Sequence, residues 1–171
     1  GPRIVRILRG GGWEVAVRLT TPGDDPAALA AQVASDSIVA ALGGDGYLGA
    51  VARGCHDSGA LFVPFPGGRG NDLCRALGIG TDPLARARDV ASLGFVSGTA
   101  GDEAVAGRAR RATDALASRV RPLDGMWVRS RDGVRLALGV VSVGLDARAN
   151  ILANESSLTS GPLAYGYGAF A

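Results

Sequence analysis

Lysine is missing from this chain: all 18 basic residues are arginine. A lysine-bearing P-loop is therefore excluded, because that phosphate site needs the ammonium group. Histidine occurs once and cysteine twice. Cys55 and Cys74 lie far apart in apolar, helix-like stretches. They fit no metal-ligand spacing and read as buried free thiols in a reducing compartment. His56 has no evident second ligand or base partner and reads as a surface or capping side chain. No apolar run reaches the roughly 18 residues that a membrane-crossing helix needs, and the first residues carry no signal-peptide pattern. The net charge is only +2, which gives no general case for nucleic acid as a partner.

What is present is enough apolar material for a real core. The 171 residues are 47% hydrophobic and 20% charged, the balance of an ordered globular chain of one domain or one domain and a fragment. The sequence opens on Gly1-Pro2, already in a helix-like pattern, and stops inside the apolar stretch from Tyr165 to Ala171. We expect it to be a piece of a longer protein.

Residues 3–9 read as the last turns of a helix ended by Gly10-Gly11-Gly12. Trp13 to Leu19 alternates apolar and polar residues, which predicts a strand. Asp25-Pro26 is a helix start, with a side-chain acceptor at the N-cap and proline at the first helical position; the helix continues over 27–34. Ile38 to Leu42 is almost continuously apolar, as buried parallel strands are. Helix is expected over 48–53, strand over 60–64, helix over 71–77, and helix from Asp82-Pro83 to about Leu93. Strands alternating with helices imply βαβ units around a parallel sheet, whose ligands bind at the carboxyl ends of the strands. Residues 95–107 read as a loop and 108–118 as a helix. Val120–Ser130 and Val134–Gly144, joined by Arg131-Asp132-Gly133, read as an antiparallel hairpin. Residues 147–155 and 163–170 read as helical or irregular. The division expected is a nucleotide-binding α/β domain over 1–120, followed by the start of a β-rich domain over 121–171.

Two turns carry the chemistry. Gly43-Gly44-Asp45-Gly46-Tyr47 follows the first buried strand, and Pro66-Gly67-Gly68-Arg69-Gly70-Asn71-Asp72 follows the next. Glycine removes the Cβ that keeps phosphate away from the backbone. A helix leaving such a turn points unpaired N–H groups and the positive end of its dipole at an anion. On its own, Gly-Gly-Asp-Gly also reads as a tight turn with an aspartate at a helix start. Two such turns after consecutive strands would face one crevice, with Asp45 and Asp72 as carboxylates beside phosphates. That is how Mg²⁺ is commonly held, and Arg69 could pair with a phosphate as a planar fork. The set suits phosphoryl transfer, where positioning and charge neutralisation dominate.

These residues resemble the diacylglycerol kinase catalytic family, which includes bacterial lipid kinases and sphingosine kinases. Gly43-Gly44-Asp45-Gly46 is similar to its first motif. Pro66 to Ile79 is similar to its Pro-x-Gly-Thr-x-Asn-Asp-x-Ala-Arg-x-Leu-Gly. Arg121-Pro122-Leu123-Asp124, Ser142-Val143-Gly144-Leu145-Asp146-Ala147 and Gly161-Pro162-Leu163-Ala164-Tyr165 are similar to later motifs, in order. The resemblance implies a Rossmann-like three-layer α/β/α domain with a parallel sheet, followed by the beginning of a β-sandwich domain that binds lipid. It implies ATP and Mg²⁺ as cofactors and transfer of the γ-phosphoryl group to a lipid hydroxyl, with diacylglycerol giving phosphatidic acid. The nucleotide-side residues implied are Thr20, Gly43, Gly44, Asp45, Gly46, Tyr47, Gly67, Gly68, Arg69, Gly70, Asn71 and Asp72. Asp45 and Asp124 would belong to the metal's acidic network, and Asp45, Asp124 and Asp146 are the catalytic candidates. Taken alone, Asp124 also reads as a strand-end turn residue and Asp146 as a helix N-cap. A cytoplasmic enzyme peripheral to the membrane, without nucleic acid and possible as a homodimer, is the expected setting.

Departures from the pattern are specific. Tyr47 stands where the family has threonine, Ala50 where many members have glutamate, and Arg69 where the second turn has threonine. Two other readings are an NAD kinase-like enzyme, which shares the first motif, and a nucleotide- or lipid-binding regulator that has lost catalysis. The second turn argues against the NAD kinase reading, while Tyr47 and Ala50 motivate the regulator.

Overall fold

A computed structural model describes residues 1–94, 118–131, 133–139, 141, 143–144 and 147–148. The expectations for 95–117, for Asp146 and for 149–171 fall outside the described residues.

The first segment alternates helices and strands: α1 (Pro2–Gly10), α2 (Pro26–Ala31), β1 (Ile38–Gly43), α3 (Asp45–Ser58), β2 (Leu61–Pro66), α4 (Asp72–Ala76) and α5 (Pro83–Ser92). Two of these helices begin at an Asp-Pro pair for the expected reason. Asp25 Oδ1 accepts from the Ala27 amide at 2.9 Å and Asp82 Oδ1 from the Leu84 amide at 2.8 Å, each with proline in the first turn. Such a cap contributes about 1 kcal/mol.

β1 and β2 pair in parallel, from Ile38↔Leu61 to Gly43↔Pro66. The register makes both strands end at the same level, so the two glycine turns leave the sheet side by side. Side chains alternate across the sheet and enter two separate clusters. On one face Ala41, Val39 and Phe62 meet Leu48, Val51 and Cys55 of α3 and Leu73 and Cys74 of α4. On the other, Phe65 and Val63 meet Ile4 and Leu8 of α1 and Ala87 and Val90 of α5. Helices on both faces of a parallel sheet are the expected three-layer α/β arrangement. Leu48 and Phe65 are fully buried, and burial of a side chain of that size contributes about 1.5–3 kcal/mol. α2 crosses α3 closely because residue 54 is glycine: a Cβ there would lie 2.2 Å from the Ala27 carbonyl oxygen.

The expected strand over 13–19 does not form; these residues join no ladder among the described residues. Their alternation does decide burial at first, since Trp13 and Val15 pack on the α1–α5 cluster. A strand also needs a neighbour backbone about 4.8 Å away. Here the polar groups turn elsewhere: the Trp13 indole donates to the Val90 carbonyl at 3.2 Å, and Arg9 donates to the Val15 carbonyl at 2.8 Å. Beyond Val15 the pattern packs on nothing among the described residues, and Val17 and Leu19 are exposed there.

β3 (Met126–Ser130) and β4 (Gly133–Ala137) form the expected antiparallel hairpin, closed at Ser130↔Gly133, but both strands are shorter than the sequence pattern. The hairpin rests on α3. Arg53 donates to the Val134 carbonyl at 2.8 Å, and His56 meets Trp127 edge-on with ring centroids 5.7 Å apart. The lone histidine is thus an exposed side chain in the last turn of α3. Both cysteines are buried free thiols, as expected. No described helix is long and apolar enough to cross a membrane.

Candidate active site

The two turns meet backbone to backbone. The Gly67 amide donates to the Gly43 carbonyl at 2.9 Å. A Cβ on Gly68 would stand 2.4 Å from the Gly44 Cα, and one on Gly67 would stand 2.9 Å from the Gly43 nitrogen. Glycine is required at these positions for contact between the loops, before any ligand is considered.

The first turn leaves donors open. Gly44, the N-cap of α3, provides no side-chain cap. Helix geometry leaves the first-turn amides unpaired within the helix, at the positive end of a 14-residue dipole. Nothing lies within 4 Å of a Cβ built on Gly46, so the backbone there is open to an approaching group. Tyr47 does not block it: its ring lies over Gly43 and packs against the α3 core cluster. The Thr20 hydroxyl donates to the Tyr47 hydroxyl at 3.5 Å, which brings Thr20 beside this turn.

The second turn is closed on itself. Asn71 is 7% exposed and has a left-handed backbone, with φ 55°. Its Oδ1 accepts from the Gly67 amide at 3.1 Å and the Gly68 amide at 2.8 Å, while its Nδ2 donates to the Gly68 carbonyl at 2.9 Å. Arg75 Nε donates to the Gly70 carbonyl at 3.1 Å. The amides of Gly67 and Gly68 are therefore already paired within the protein. What this turn offers instead is Arg69, exposed between Gly68 and Gly70.

Asp45 bridges the turns: its Oδ1 accepts from the Leu73 amide at 2.9 Å. Its Oδ2 and the Oδ2 of Asp72 lie 3.4 and 3.2 Å from the same point, the Cβ position of Gly70. Two carboxylates facing one spot beside open helix amides suit a divalent cation that arrives with phosphate and keeps its waters. They do not suit a caged resident metal, and among the described residues no group of three or more acidic, His or Cys side chains gathers. Asp124 is exposed on the stretch leading into β3; Asp146 lies outside the described residues.

The profile of the diacylglycerol kinase catalytic domain matches residues 2–101, more than half of the chain. The chain belongs to the diacylglycerol kinase catalytic-domain family. The match covers α1 to α5 and both glycine turns. It makes the chain kinase-like, of a phosphotransferase family with the α/β fold seen here. No curated protein and no solved structure matches the chain.

One further feature escaped the sequence reading. A cavity of about 540 Å³ opens from Gly46 along α3, walled by Ala27, Ala28 and Ala31 of α2, by Gly49 and Ala50, and by Arg53 and Arg135 at the hairpin. Small residues one helical turn apart on both α2 and α3 were the available signal. Ala50 is part of that wall.

The buried groups near the site are tuned by burial. Cys55 is pushed up to about 11 by burial. Cys74 is raised by burial and, secondarily, by the Asp45 carboxylate, with Arg86 acting the other way. Neither thiol is a nucleophile at neutral pH, and their place is the core.

Proposed function

We propose that this chain is the nucleotide-binding part of an ATP-dependent lipid kinase that moves the γ-phosphoryl group to a lipid hydroxyl, with diacylglycerol the acceptor and phosphatidic acid the product. The observation that carries the reading is the direct contact of the two turns, which sets the open α3 amides beside the Asp45 and Asp72 carboxylates. In this reading the Asp45–Gly46–Tyr47 amides hold phosphate oxygens, and Arg69 pairs with the polyphosphate. Asp45 and Asp72 would hold Mg²⁺, and the ion would supply neutralisation of negative charge on the transferred group. Thr20 lies on the nucleotide side. The acceptor hydroxyl enters from the cavity between α3 and the hairpin, and Asp124 and Asp146 are the further catalytic carboxylates that the family resemblance implies. The enzyme works peripherally, at a membrane surface.

The test uses the full-length protein that contains this chain, with γ-labelled ATP and diacylglycerol in mixed micelles. Label in the organic phase is expected, and Asp45→Asn abolishes the transfer while the fold persists by circular dichroism. Label on NAD instead, or on no acceptor, overturns the proposal. So does near-native turnover of the Asp45→Asn variant.

A further inference from the structure

We infer that Asp45 is also a positioning residue, whose Oδ1 latches the second glycine turn to the first by capping α4 from another helix. The claim about the latch stands on geometry alone; only its consequence for a ligand rests on the proposed nucleotide site.

The reasoning begins with Asn71. As the N-cap of α4 it would normally turn its side chain forward onto the second or third amide of the helix. Here it makes no such bond. Its left-handed backbone turns the amide back onto Gly67 and Gly68. α4 is therefore left without its own cap, and Leu73, the second residue of α4, has an orphan amide in a buried setting, the residue being 4% exposed. An unpaired buried donor is expensive. Asp45, 28 residues earlier in the chain and in the first turn of α3, supplies the acceptor at 2.9 Å.

The consequences follow from what Leu73 is tied to. It belongs to the α3 core cluster and directly follows the Asn71-Asp72 pair. Holding its amide holds the start of α4, and thereby Asn71, whose three bonds shape the second turn. Besides this bond, the turns share the Gly67 to Gly43 backbone bond and glycine-on-glycine contact, neither of which depends on a side chain. Asp45 is thus the side chain that keeps Arg69 and Asp72 at a fixed distance from the α3 amides. Latch and charge are carried by different oxygens: Oδ1 is committed to Leu73, while Oδ2 faces Gly70 and Asp72. An isosteric neutral acceptor would keep the first and lose the second.

The experiment compares the full chain with Asp45→Asn, Asp45→Ala and Asp45→Ser by amide hydrogen exchange at Leu73 and by ADP affinity in EDTA, where no metal contributes. Asparagine presents the same acceptor; serine is too short to reach. Asp45→Asn should keep Leu73 protection and ADP affinity within about threefold of the parent. Asp45→Ala and Asp45→Ser should each lose about tenfold in both, the scale of one hydrogen bond. Should the alanine variant not fold, the serine variant decides. Unchanged Leu73 protection in the alanine or serine variant overturns the latch. So does equal loss in asparagine and alanine, which would assign the effect to charge. If the parent chain binds no ADP, the nucleotide reading falls while the exchange data still decide the latch.

Discussion

The two glycine turns look alike in sequence and behave differently in the fold. The first, at Gly43–Gly46, ends in a 14-residue helix whose starting amides carry no cap. The second, at Gly67–Gly70, has the Gly67 and Gly68 amides taken by Asn71 and Gly43, and the Gly68 and Gly70 carbonyls taken by Asn71 and Arg75. One is an open donor site and the other a hydrogen-bonded loop that carries the Arg69 cation at its tip. Glycine thus serves two ends here: close approach of a ligand in one loop, and close approach of the neighbouring loop in the other.

The strongest way to break that comparison is to add one methyl group to each turn. Gly68→Ala would drive a Cβ to 2.4 Å from the Gly44 Cα, and backbone cannot yield as a side-chain tip can. We expect about 2–3 kcal/mol of lost stability and loss of nucleotide binding, read by denaturant unfolding and ADP titration. Gly46→Ala meets nothing within 4 Å and lies in a helix, where alanine is favoured by roughly 0.5–1 kcal/mol. It should raise the melting temperature while weakening ADP binding, because the added methyl stands over the open amides. Equal behaviour of the two variants would erase the distinction between the loops.

The second turn can be opened from within. Asn71→Ala removes three hydrogen bonds and places alanine at φ 55°. A loss of about 2–3 kcal/mol is expected. Asn71→Gly restores the backbone freedom and should recover roughly 1 kcal/mol of that, leaving the hydrogen-bond part. If both variants cost the same, backbone conformation contributes nothing at this position.

The smallest effect concerns the core behind the turns. Cys55 has its folded-state value raised from 9.0 to about 11. A raised value means that the thiol's contribution is complete below the unfolded value. It is lost as pH climbs from 9.0 towards about 11, because the unfolded chain releases the proton first. Stability should therefore fall across that window, and Cys55→Ala should flatten the slope there. A slope unchanged by the substitution would remove Cys55 as its cause.

Much of this was written in the residues. The Asp-Pro pairs at 25–26 and 82–83 predict helix starts because the cap and the fixed proline φ are local. The parallel strands show as apolar runs because both of their faces are covered. The glycine motifs mark the site because close backbone approach is a property of residue type. The strand expected at 13–19 failed for the opposite reason. Alternation is local, whereas a ladder needs a partner that the alternating stretch does not itself supply. The pairing of the Gly67 and Gly68 amides was hidden for a similar reason, since Asn71 is an ordinary helix-start residue in sequence, and only its backbone angle turns its amide inward.

The sequence by itself determined the order of helices and strands, the two turns and the family, because periodicity, capping and glycine content act over a few neighbouring residues. Only the tertiary structure decided which turn keeps its amides open, that Asp45 reaches Leu73, and that α2, α3 and the hairpin line an open cleft. Those outcomes depend on distances between segments far apart in the chain. Such distances are fixed when the two faces of the sheet are packed.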